Sequence, residues 1–481
     1  MSLKNTPFKL KQAVLAAALF GASATAYAAD EALLDILLQN GAITQEQYDT
    51  LIQKESLSSS DFVAAPASEN VAVQVVDLDE RIAAQVSQQL EEAMPVTTNQ
   101  TSSGFRFQTR DGAWRTDLQW RAQTRFTTPY RSDPRKLSDF NSGTQNNFEA
   151  RRLRMKIGGR GFQPWLSYYF EVDLQPSRDV DDSSSSSSAR VIDWRLDIAK
   201  WDWGGIRVGQ WKVDLNRERV DSSGRQQFVE RSIANRVFTI DRQVGIQARG
   251  HLFKETTADM RFYAGVFNGE GRSVNNADNN LMYMGRLQWN FMGRDLDWRQ
   301  TDVEYTDKPT GSFAIAGMTT KSPCTRWSSS GCGNLDGFDS PANASPDQFD
   351  IEQVVEEFAF KYRGFSAQQE YHRKVIKDSS DSSRHVLTGG YIQAGYFFHH
   401  MFPNVPEQLE LAARYAFVDE PSSTNRALEN ERREATIGAN WFIKGHNNKV
   451  TVDFSHLTLD DAFFTQEASD NRFRVQWDVS F

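Results

Sequence analysis

The sequence feature that most limits the possible folds of this chain is an alternation of apolar and polar residues with a period of two. It recurs from about residue 105 to the end. In residues 116–126, Thr, Leu, Trp, Ala, Thr and Phe alternate with Asp, Gln, Arg, Gln and Arg. Similar alternation occurs in residues 152–157, 165–174, 244–249, 357–363 and 409–415. Because successive side chains of a β-strand point to opposite faces, each segment predicts a strand with one apolar and one polar face.

A soluble β-sandwich and a membrane β-barrel both satisfy this alternation, and three further features favour the barrel. Connections between the predicted strands alternate between long and short, and a long one, residues 320–350, is rich in Ser, Asn, Asp and Gly. The last segment, residues 472–481, alternates strictly and ends on Phe481, which is typical of bacterial outer-membrane barrels. Aromatic residues gather near strand ends, as in a membrane girdle: Trp165, Trp201, Trp203, Phe291, Phe398 and Trp441.

The predicted strands number sixteen, from residues 114–127 to residues 471–481, and a barrel of that size encloses an aqueous channel. The mean hydropathy of -0.58 excludes a bundle of membrane helices, each of which needs a run of about 20 apolar residues. It does not exclude a barrel, because lipid-facing and lumen-facing residues average out. We therefore predict an all-β fold, a 16-stranded antiparallel transmembrane β-barrel over residues 105–481.

The first residues have the pattern of an export signal. Lys4, Lys9 and Lys11 precede an apolar run over residues 13–24, and Ala-Tyr-Ala at 26–28 forms a small-x-small cleavage site. The alternative, a buried N-terminal helix, is weaker. The sequence therefore predicts a signal peptide over residues 1–28 and a barrel in the outer membrane of a Gram-negative type cell.

Residues 29–104 differ from the rest of the chain, with 13 acidic residues against only Lys54 and Arg81. Thr44 is placed to cap one short helix, and apolar residues recur every four positions from Leu78 to Leu90, which indicates another. We predict a short helical and coiled periplasmic region with a linker. A solvated appendage, a weak coiled coil and an adhesive or structural tether all remain open for it.

The sequence shows no pattern of enzyme chemistry. The seven histidines form no HExxH or H-x3-H pair, so neither a metal site nor a cofactor is predicted. Ser455 and His456 are adjacent in one predicted strand, so their side chains face opposite ways and form no nucleophile–base pair. No catalytic residue is predicted, and a lipid hydrolase is the enzyme alternative. The net charge of -9 disfavours nucleic acid as a partner.

Eight segments carry a family resemblance: residues 208–213, 217–219, 227–232, 266–271, 357–371, 390–397, 409–415 and 440–456. Together they resemble the phosphate-selective porin O/P family of outer-membrane channels, over roughly residues 110–481. The resemblance implies a homotrimer in outer-membrane lipids, passive uptake with anion preference, and a pore narrowed by an inward-folded third long loop. It also implies wall arginines and constriction lysines, but the predicted third loop, residues 215–241, has five Arg and no Lys.

Arginines are the candidate pore residues, because guanidinium groups remain charged and present a planar fork of donors to oxyanions such as phosphate. Arg231 and Arg236 flank the third loop's return to the next strand and are expected nearest the constriction. The whole candidate set is Arg121, Arg125, Arg152, Arg154, Arg217, Arg219, Arg231 and Arg236. Three functions remain open: a channel for small anions, a general-diffusion porin whose arginines pair with lumenal carboxylates, and a structural or adhesive barrel.

Cys324 and Cys332 lie in the long connection 320–352, which the strand count places outside the cell. An exported chain meets an oxidising compartment, and a short loop can bring two sulfurs together. A disulfide between these two residues is therefore predicted.

Overall fold

The computed structural model describes residues 96–101, 104–129, 133–140, 145–174, 189–276 and 278–481, with Leu38, Thr44, Gln45, Tyr48 and Asp49. The chain divides into two units, Met1–Ala93 and Met94–Phe481. The predicted signal peptide and most of the acidic region lie outside the described residues. In the first unit Gln45, Tyr48 and Asp49 are helical, and the Tyr48 amide donates to the Thr44 carbonyl (3.0 Å). That geometry matches a helix beginning after Thr44.

The second unit contains a closed antiparallel β-barrel of sixteen strands, which confirms the predicted fold. Each barrel strand pairs with its neighbours along the chain, and β20 pairs with β3 to close the ring. Outside the ring, β1 pairs with β2, and β12 pairs with β13. The strands are β1 (Val96–Thr101), β2 (Gly104–Thr109), β3 (Arg115–Thr128), β4 (Asn147–Arg160), β5 (Leu166–Asp173), β6 (Arg190–Trp201), β7 (Gly204–Lys212), β8 (Arg242–Leu252), β9 (Met260–Phe267), β10 (Met282–Trp289), β11 (Thr310–Ser322), β12 (Arg326–Ser328), β13 (Gly331–Gly333), β14 (Phe349–Tyr362), β15 (Phe365–Asp378), β16 (Arg384–Tyr396), β17 (Leu409–Pro421), β18 (Glu429–Lys444), β19 (Asn448–Asp461) and β20 (Gln466–Ser480).

The last strand shows how the period-two pattern becomes a barrel wall. On β20, Phe473 and Trp477 are 38% and 50% exposed, whereas Arg474 and Asp478 are each 1% exposed. The apolar side chains therefore point outward and the charged ones point into the lumen. In a water-soluble protein the apolar side chains would point inward. The opposite arrangement here suits a barrel that contacts lipid on its outside and water or protein on its inside.

The ring closes where the chain's last residue meets β3. The backbones of Phe481 and Trp120 exchange two hydrogen bonds of 2.9 Å, and β2 then pairs with the next part of β3. Gly104 fits between these partners because a Cβ there would lie 2.1 Å from the Leu118 carbonyl oxygen. The hairpin β1–β2 thus extends the sheet along β3 beyond the end of β20.

The structure differs from the sequence-based prediction at this hairpin, because β1 (Val96–Thr101) is a strand in the region that was expected to be helical, coiled or a linker. The β1 sequence, VTTNQT, has no apolar face, and five of its six residues are exposed. A strand outside the lipid-facing ring needs no apolar face, so the alternation that marks the barrel strands is missing there.

The connections at one end of the barrel are mostly longer than those at the other, and we call these the long-loop end and the short-turn end. The connection between β7 and β8, residues 213–241, folds into the lumen, and we call it the inner loop. It contains two short helices, α1 (Arg217–Val220) and α2 (Ala234–Phe238). No helix among the described residues is long and apolar enough to cross a membrane.

One connection at the short-turn end, residues 290–309, is longer than the alternation of loop lengths predicts. It turns back into the lumen, where Leu296 and Gln300 are each 4% exposed. Its length is explained by its contacts, because a short turn could not reach the inner loop.

At the long-loop end, residues 323–348 form a folded cover around the hairpin β12–β13. Cys324 and Cys332 form a disulfide across this hairpin, with their Cα atoms 5.5 Å apart. Trp327 is 1% exposed, and its indole N–H donates to the Gly269 carbonyl (2.7 Å). An apolar core joins this cover to the inner loop through residues that include Val237 and Phe238.

Candidate pore

The inner loop occupies one side of the lumen, against β14–β20 and β3. The Gln227 side chain donates to Glu410 (2.7 Å), and the Asn440 side chain donates to the Gln227 carbonyl (2.8 Å). Lys449 donates to the neighbouring carbonyl of Gln226. The inward side chains of this wall are almost completely covered; Glu410 and Asn440, for example, are both 0% exposed.

The 290–309 loop meets the inner loop from the short-turn end. Gln300 accepts the Gln227 amide (2.8 Å) and donates to the Gln226 side chain (2.9 Å). Trp298 of the same loop lies beneath two guanidinium groups, with Arg286 4.6 Å and Arg217 5.5 Å from its ring centre. The two inserted loops together fill this side of the barrel.

The opposite wall is less covered. Along β6–β8, the side chains of Arg195, Arg207 and Arg249 are 24%, 12% and 25% exposed. A cavity of about 560 Å³ lies along β3–β6 and the hairpin β1–β2, and another of about 230 Å³ lies along β6–β9. Asp197 borders both cavities. Open space on this side therefore lies along β3–β9 and the hairpin β1–β2.

The two cavities are bordered by more positive than negative side chains. Among the described residues they have eight Arg or Lys and three carboxylates. The basic residues are Arg106, Arg115, Lys156, Arg160, Arg195, Arg249, Lys254 and Arg261, and the acids are Asp117, Asp197 and Asp202. A lumen wall with this excess of positive charge raises the local concentration of anions.

Several of these cations are already neutralised by neighbours on the wall. Asp197 pairs with Arg195 (3.2 Å) and Arg207 (2.6 Å), and Asp117 pairs with Arg106 (2.6 Å). Some guanidinium groups also lie over aromatic rings, such as Arg195 at 4.4 Å from the Tyr169 ring centre. Such contacts hold the guanidinium plane in place and leave its charge on the cavity surface.

Two cations are not paired in this way. Lys156 of β4 borders the larger cavity, is partly exposed, and has no side-chain hydrogen bond or ion pair to any described residue. Arg225, at the tip of the inner loop, is exposed, and its guanidinium likewise has no such partner in the described part of the chain. The two side chains are close enough to interact electrostatically, and Glu171 also acts on Lys156 and Asp221 on Arg225. Two basic side chains that form no ion pair with a described residue thus stand on the wall and on the inserted loop.

The structure gives every predicted wall arginine a partner. Their guanidinium groups tie β3 and β4 to the inner loop or to β5. Arg121 donates to Ser222 and Ser223 (2.8 Å each), Arg125 and Arg152 pair with Glu230 (2.7 and 3.3 Å), and Arg154 pairs with Glu171 (2.9 Å). Arg121 alone in this set bonds only to neutral hydroxyl groups of the described residues.

The predicted loop arginines also have partners. Arg217 donates to the Asp297 carbonyl, Arg219 pairs with Asp241, and Arg236 pairs with Asp336 (3.3 Å) and Asp133 (3.6 Å). Arg231 donates to the main-chain oxygens of Glu218 (2.8 Å) and Asp221 (2.7 Å), inside its own loop. Arg231 thus braces the fold of the inner loop, and Arg236 joins it to the long-loop end.

Alternation in the sequence placed Lys156 in the lumen, and Arg225 is one of the five arginines of the predicted third loop, but neither was in the candidate set. Arg195 and Arg207 were missed altogether. Arg195 alternates with Trp194 and Leu196 on β6, and this pattern could have identified it as lumenal. Arg225 follows Ser222-Ser223-Gly224, and its amide donates to the Ser222 carbonyl (2.8 Å). That turn chemistry could have identified an exposed loop tip.

Burial and neighbouring charges shift the pKa values of the inner-loop carboxyl groups, upward for some and downward for others. Burial, with the Glu370 carboxylate close by, raises the pKa of Glu218 to about 7. Burial also raises the pKa of Asp221 to about 6. Burial would raise the pKa of Glu230 as well, but Arg152, Arg125 and Arg151 outweigh it and hold that pKa well below its ordinary value. Glu230 therefore stays ionised at neutral pH.

A family model and one relative match the sequence of this chain. The family model described as "Phosphate-selective porin O and P" matches residues 127–481. An uncharacterized protein of Aquifex aeolicus (strain VF5) is 22% identical over 346 residues, which is 66% of this chain and 77% of that protein.

Solved structures also align with the barrel. The outer membrane channel DcaP of Acinetobacter baumannii aligns with 79% of this chain and 100% of its own, at 12% identity and a TM-score of 0.48. An anion-selective porin from Comamonas acidovorans aligns with 76% of this chain and 99% of its own, at 11% identity and a TM-score of 0.46.

Proposed function

The chain belongs to the phosphate-selective porin O and P family and forms an outer-membrane channel, and from this premise we propose that the channel conducts small anions in preference to cations. Phosphate and related oxyanions are among the anions proposed to pass. The proposed path runs between the inner loop and β3–β9, along the two cavities. The predicted wall and loop arginines mainly hold the inner loop in place along this path.

The observation that carries this proposal is the placement of Lys156 and Arg225. Both positive charges border or face the open side of the lumen, and no described carboxylate pairs with either. A charge that lies within the ~8–10 Å Debye length of physiological salt from a passing ion is poorly screened. An anion between the two groups is therefore favoured and a potassium ion is disfavoured.

The remaining cations would serve as sites of moderate strength. Conduction requires that an ion be bound well enough to enter and weakly enough to leave. Arg195 and Arg207 share Asp197, so each offers only part of its charge to a passing anion. We propose that an oxyanion moves past Lys156 and Arg225 and then along these half-neutralised arginines.

The orientation and assembly belong to the same proposal. The short-turn end, which carries the hairpin β1–β2, faces the periplasm, so the acidic N-terminal region lies there too. The long-loop end, with the disulfide-linked cover, faces outward. Three copies assemble side by side in outer-membrane lipids, each with its own pore. Chemical crosslinking of the purified protein tests the trimer.

The reversal potential of the purified protein in a planar bilayer tests the anion preference. Across a tenfold KCl gradient we expect it to have the sign of chloride permeation. A second function, general diffusion, is favoured by the many arginine–carboxylate pairs, because paired charges brace a wall without selecting ions. A reversal potential near zero would support that second function instead.

A further inference from the structure

Four carboxylates of the barrel wall accept main-chain N–H groups of the inner loop. They come from four strands, β14, β15, β18 and β19, and each is at most 2% exposed. Glu357 accepts the Arg217 amide (3.0 Å), Glu370 the Glu218 amide (2.6 Å), Asp453 the Val229 amide (3.0 Å) and Glu434 the Ile233 amide (3.1 Å). The loop is therefore held near its start, near its tip and on its return.

Three of these carboxylates are fixed by arginines of other wall strands. Arg286 pairs with Glu357, Arg414 with Glu434 (2.9 Å), and Arg474 with Asp453 (2.7 Å). In each case the wall arginine orients the carboxylate and the carboxylate orients the loop. A hydrogen bond from an amide to an ionised carboxylate is stronger than one to a neutral acceptor.

Glu370 is held differently from the other three. It accepts the Asn216 side chain (3.0 Å) and lies 3.1 Å from His372, whose ring stacks on Phe238 of α2 at 5.0 Å. None of the ion pairs of the described residues joins Glu370 to an arginine. Replacing Glu370 consequently leaves no buried guanidinium without its partner.

We infer that these four carboxylates are positioning residues that clamp the main chain of the inner loop to the β14–β19 wall. The clamp keeps the opposite side of the lumen open, and in that respect the inference rests on the proposed path along β3–β9. Because these bonds go to backbone amides, the four contacts themselves do not depend on the amides' own side chains. Residues such as Arg225 can then change selectivity without moving the loop.

Loss of one such bond should loosen the loop measurably. A buried N–H left without a charged acceptor costs enough to shift a local opening equilibrium by roughly 10- to 100-fold. The native cysteines are joined in a disulfide, so one introduced cysteine gives a unique free thiol. Ala234 of α2 is 1% exposed and differs little in size from cysteine, which makes Ala234→Cys a suitable reporter.

The experiment measures the rate at which a maleimide polymer labels Ala234→Cys in the full-length, membrane-inserted protein. In the Glu370→Ala background we expect labelling about 10- to 100-fold faster, with a noisier open-channel current. Glu370→Gln retains an acceptor oxygen and should restore most of the protection. The control is Glu431→Ala, which breaks an exposed pair with Arg433 (2.7 Å) on β18 and should leave labelling unchanged.

Heat-modifiability verifies that each variant forms a barrel. If Glu370→Ala does not, Asp453→Asn weakens the acceptor of the Val229 amide with little change of shape and gives the same comparison. Labelling in Glu370→Ala as slow as in the Glu431→Ala control would overturn the clamp. A wild-type channel without anion preference but with a protected thiol would instead refute the proposed function and leave the clamp intact.

Discussion

Arg125 of β3 and Glu230 of the inner loop form an ion pair of 2.7 Å that joins the barrel wall to the loop folded inside it. The same carboxylate also contacts Arg151 (3.1 Å) and Arg152 (3.3 Å). One acid thus neutralises part of a cluster of three arginines beside the lumen. Since those arginines keep its pKa low, Glu230 carries a full negative charge under ordinary recording conditions.

Replacing Glu230 with Gln should increase the anion preference, because three guanidinium groups lose their shared counter-charge. We expect the ratio of chloride to potassium permeability to rise about twofold, measured from the reversal potential in a KCl gradient. Glu431→Gln is the matched control, since Glu431 pairs with the exposed Arg433 (2.7 Å). An unchanged ratio in Glu230→Gln would mean that this cluster does not face the ion path.

The hold on the inner loop should weaken as the pH rises towards 8. The pKa of Glu218 is raised from 4.5 to about 7 in the folded loop, so the folded state binds the proton more tightly than the unfolded state. The contribution of Glu218 to the stability of the folded loop is therefore fully present below pH 4.5 and is lost as the pH rises through about 7. Glu370, Arg414 and Arg231 surround this carboxyl group.

Labelling of Ala234→Cys, corrected for thiolate formation with a fully exposed thiol, measures this effect. We expect the corrected rate to be at least about tenfold higher at pH 8 than at pH 5. Glu218→Gln should flatten the profile, leaving a smaller slope from Asp221, whose pKa is raised to about 6. A rate that falls with pH would contradict the assignment.

Replacing Arg231 with Ala should loosen the inner loop. Arg231 donates to main-chain oxygens of Glu218, Arg219 and Asp221, and its removal leaves buried carbonyl groups unpaired. We expect thiol labelling at Ala234→Cys to accelerate about tenfold, with partial rescue in Arg231→Lys. A shifted reversal potential with a fully protected thiol would show instead that Arg231 acts directly on ions.

The disulfide should stabilise the outer cover without supporting the barrel. Cys324 is 0% exposed, and the bridge spans a sequence separation of 8. The double change Cys324→Ser/Cys332→Ser should destabilise the β12–β13 hairpin by about 2–3 kcal/mol, seen as faster proteolysis within residues 323–348. Heat-modifiability of the barrel should not change. Two thiols alkylated by iodoacetamide in the unreduced, denatured wild type would show that the bridge does not form.

The alternation of residues was enough to predict sixteen strands, because each strand faces lipid on one side and the lumen on the other. The same rule could not find β1, whose residues from Val96 to Thr101 meet no lipid. It also could not separate Arg125 from Arg195, since both alternate into the lumen. Their difference lies in tertiary contacts, because Arg125 meets Glu230 across 105 positions of sequence whereas Arg195 remains beside a cavity.

The inward fold of the 290–309 loop could not be predicted for a similar reason. Gln300 and Trp298 hold it through side-chain contacts with the inner loop and the wall, and no local pattern encodes those contacts. Lys156 was identifiable as lumenal by alternation, but its lack of a partner depends on where neighbouring carboxylates point. Arg154, two residues earlier on the same face, forms ion pairs with both Glu171 and Asp173.

The central claim is that the unpaired charges of Lys156 and Arg225 set the anion preference. The most direct test is the reversal potential of Lys156→Ala/Arg225→Ala in a tenfold KCl gradient. The control is Lys321→Ala/Arg384→Ala, which removes the same charge from exposed positions outside the lumen. We predict that the first variant shifts from anion preference towards cations while remaining folded and inserted, and that the control keeps the wild-type value. A wild-type reversal potential in Lys156→Ala/Arg225→Ala would contradict the account.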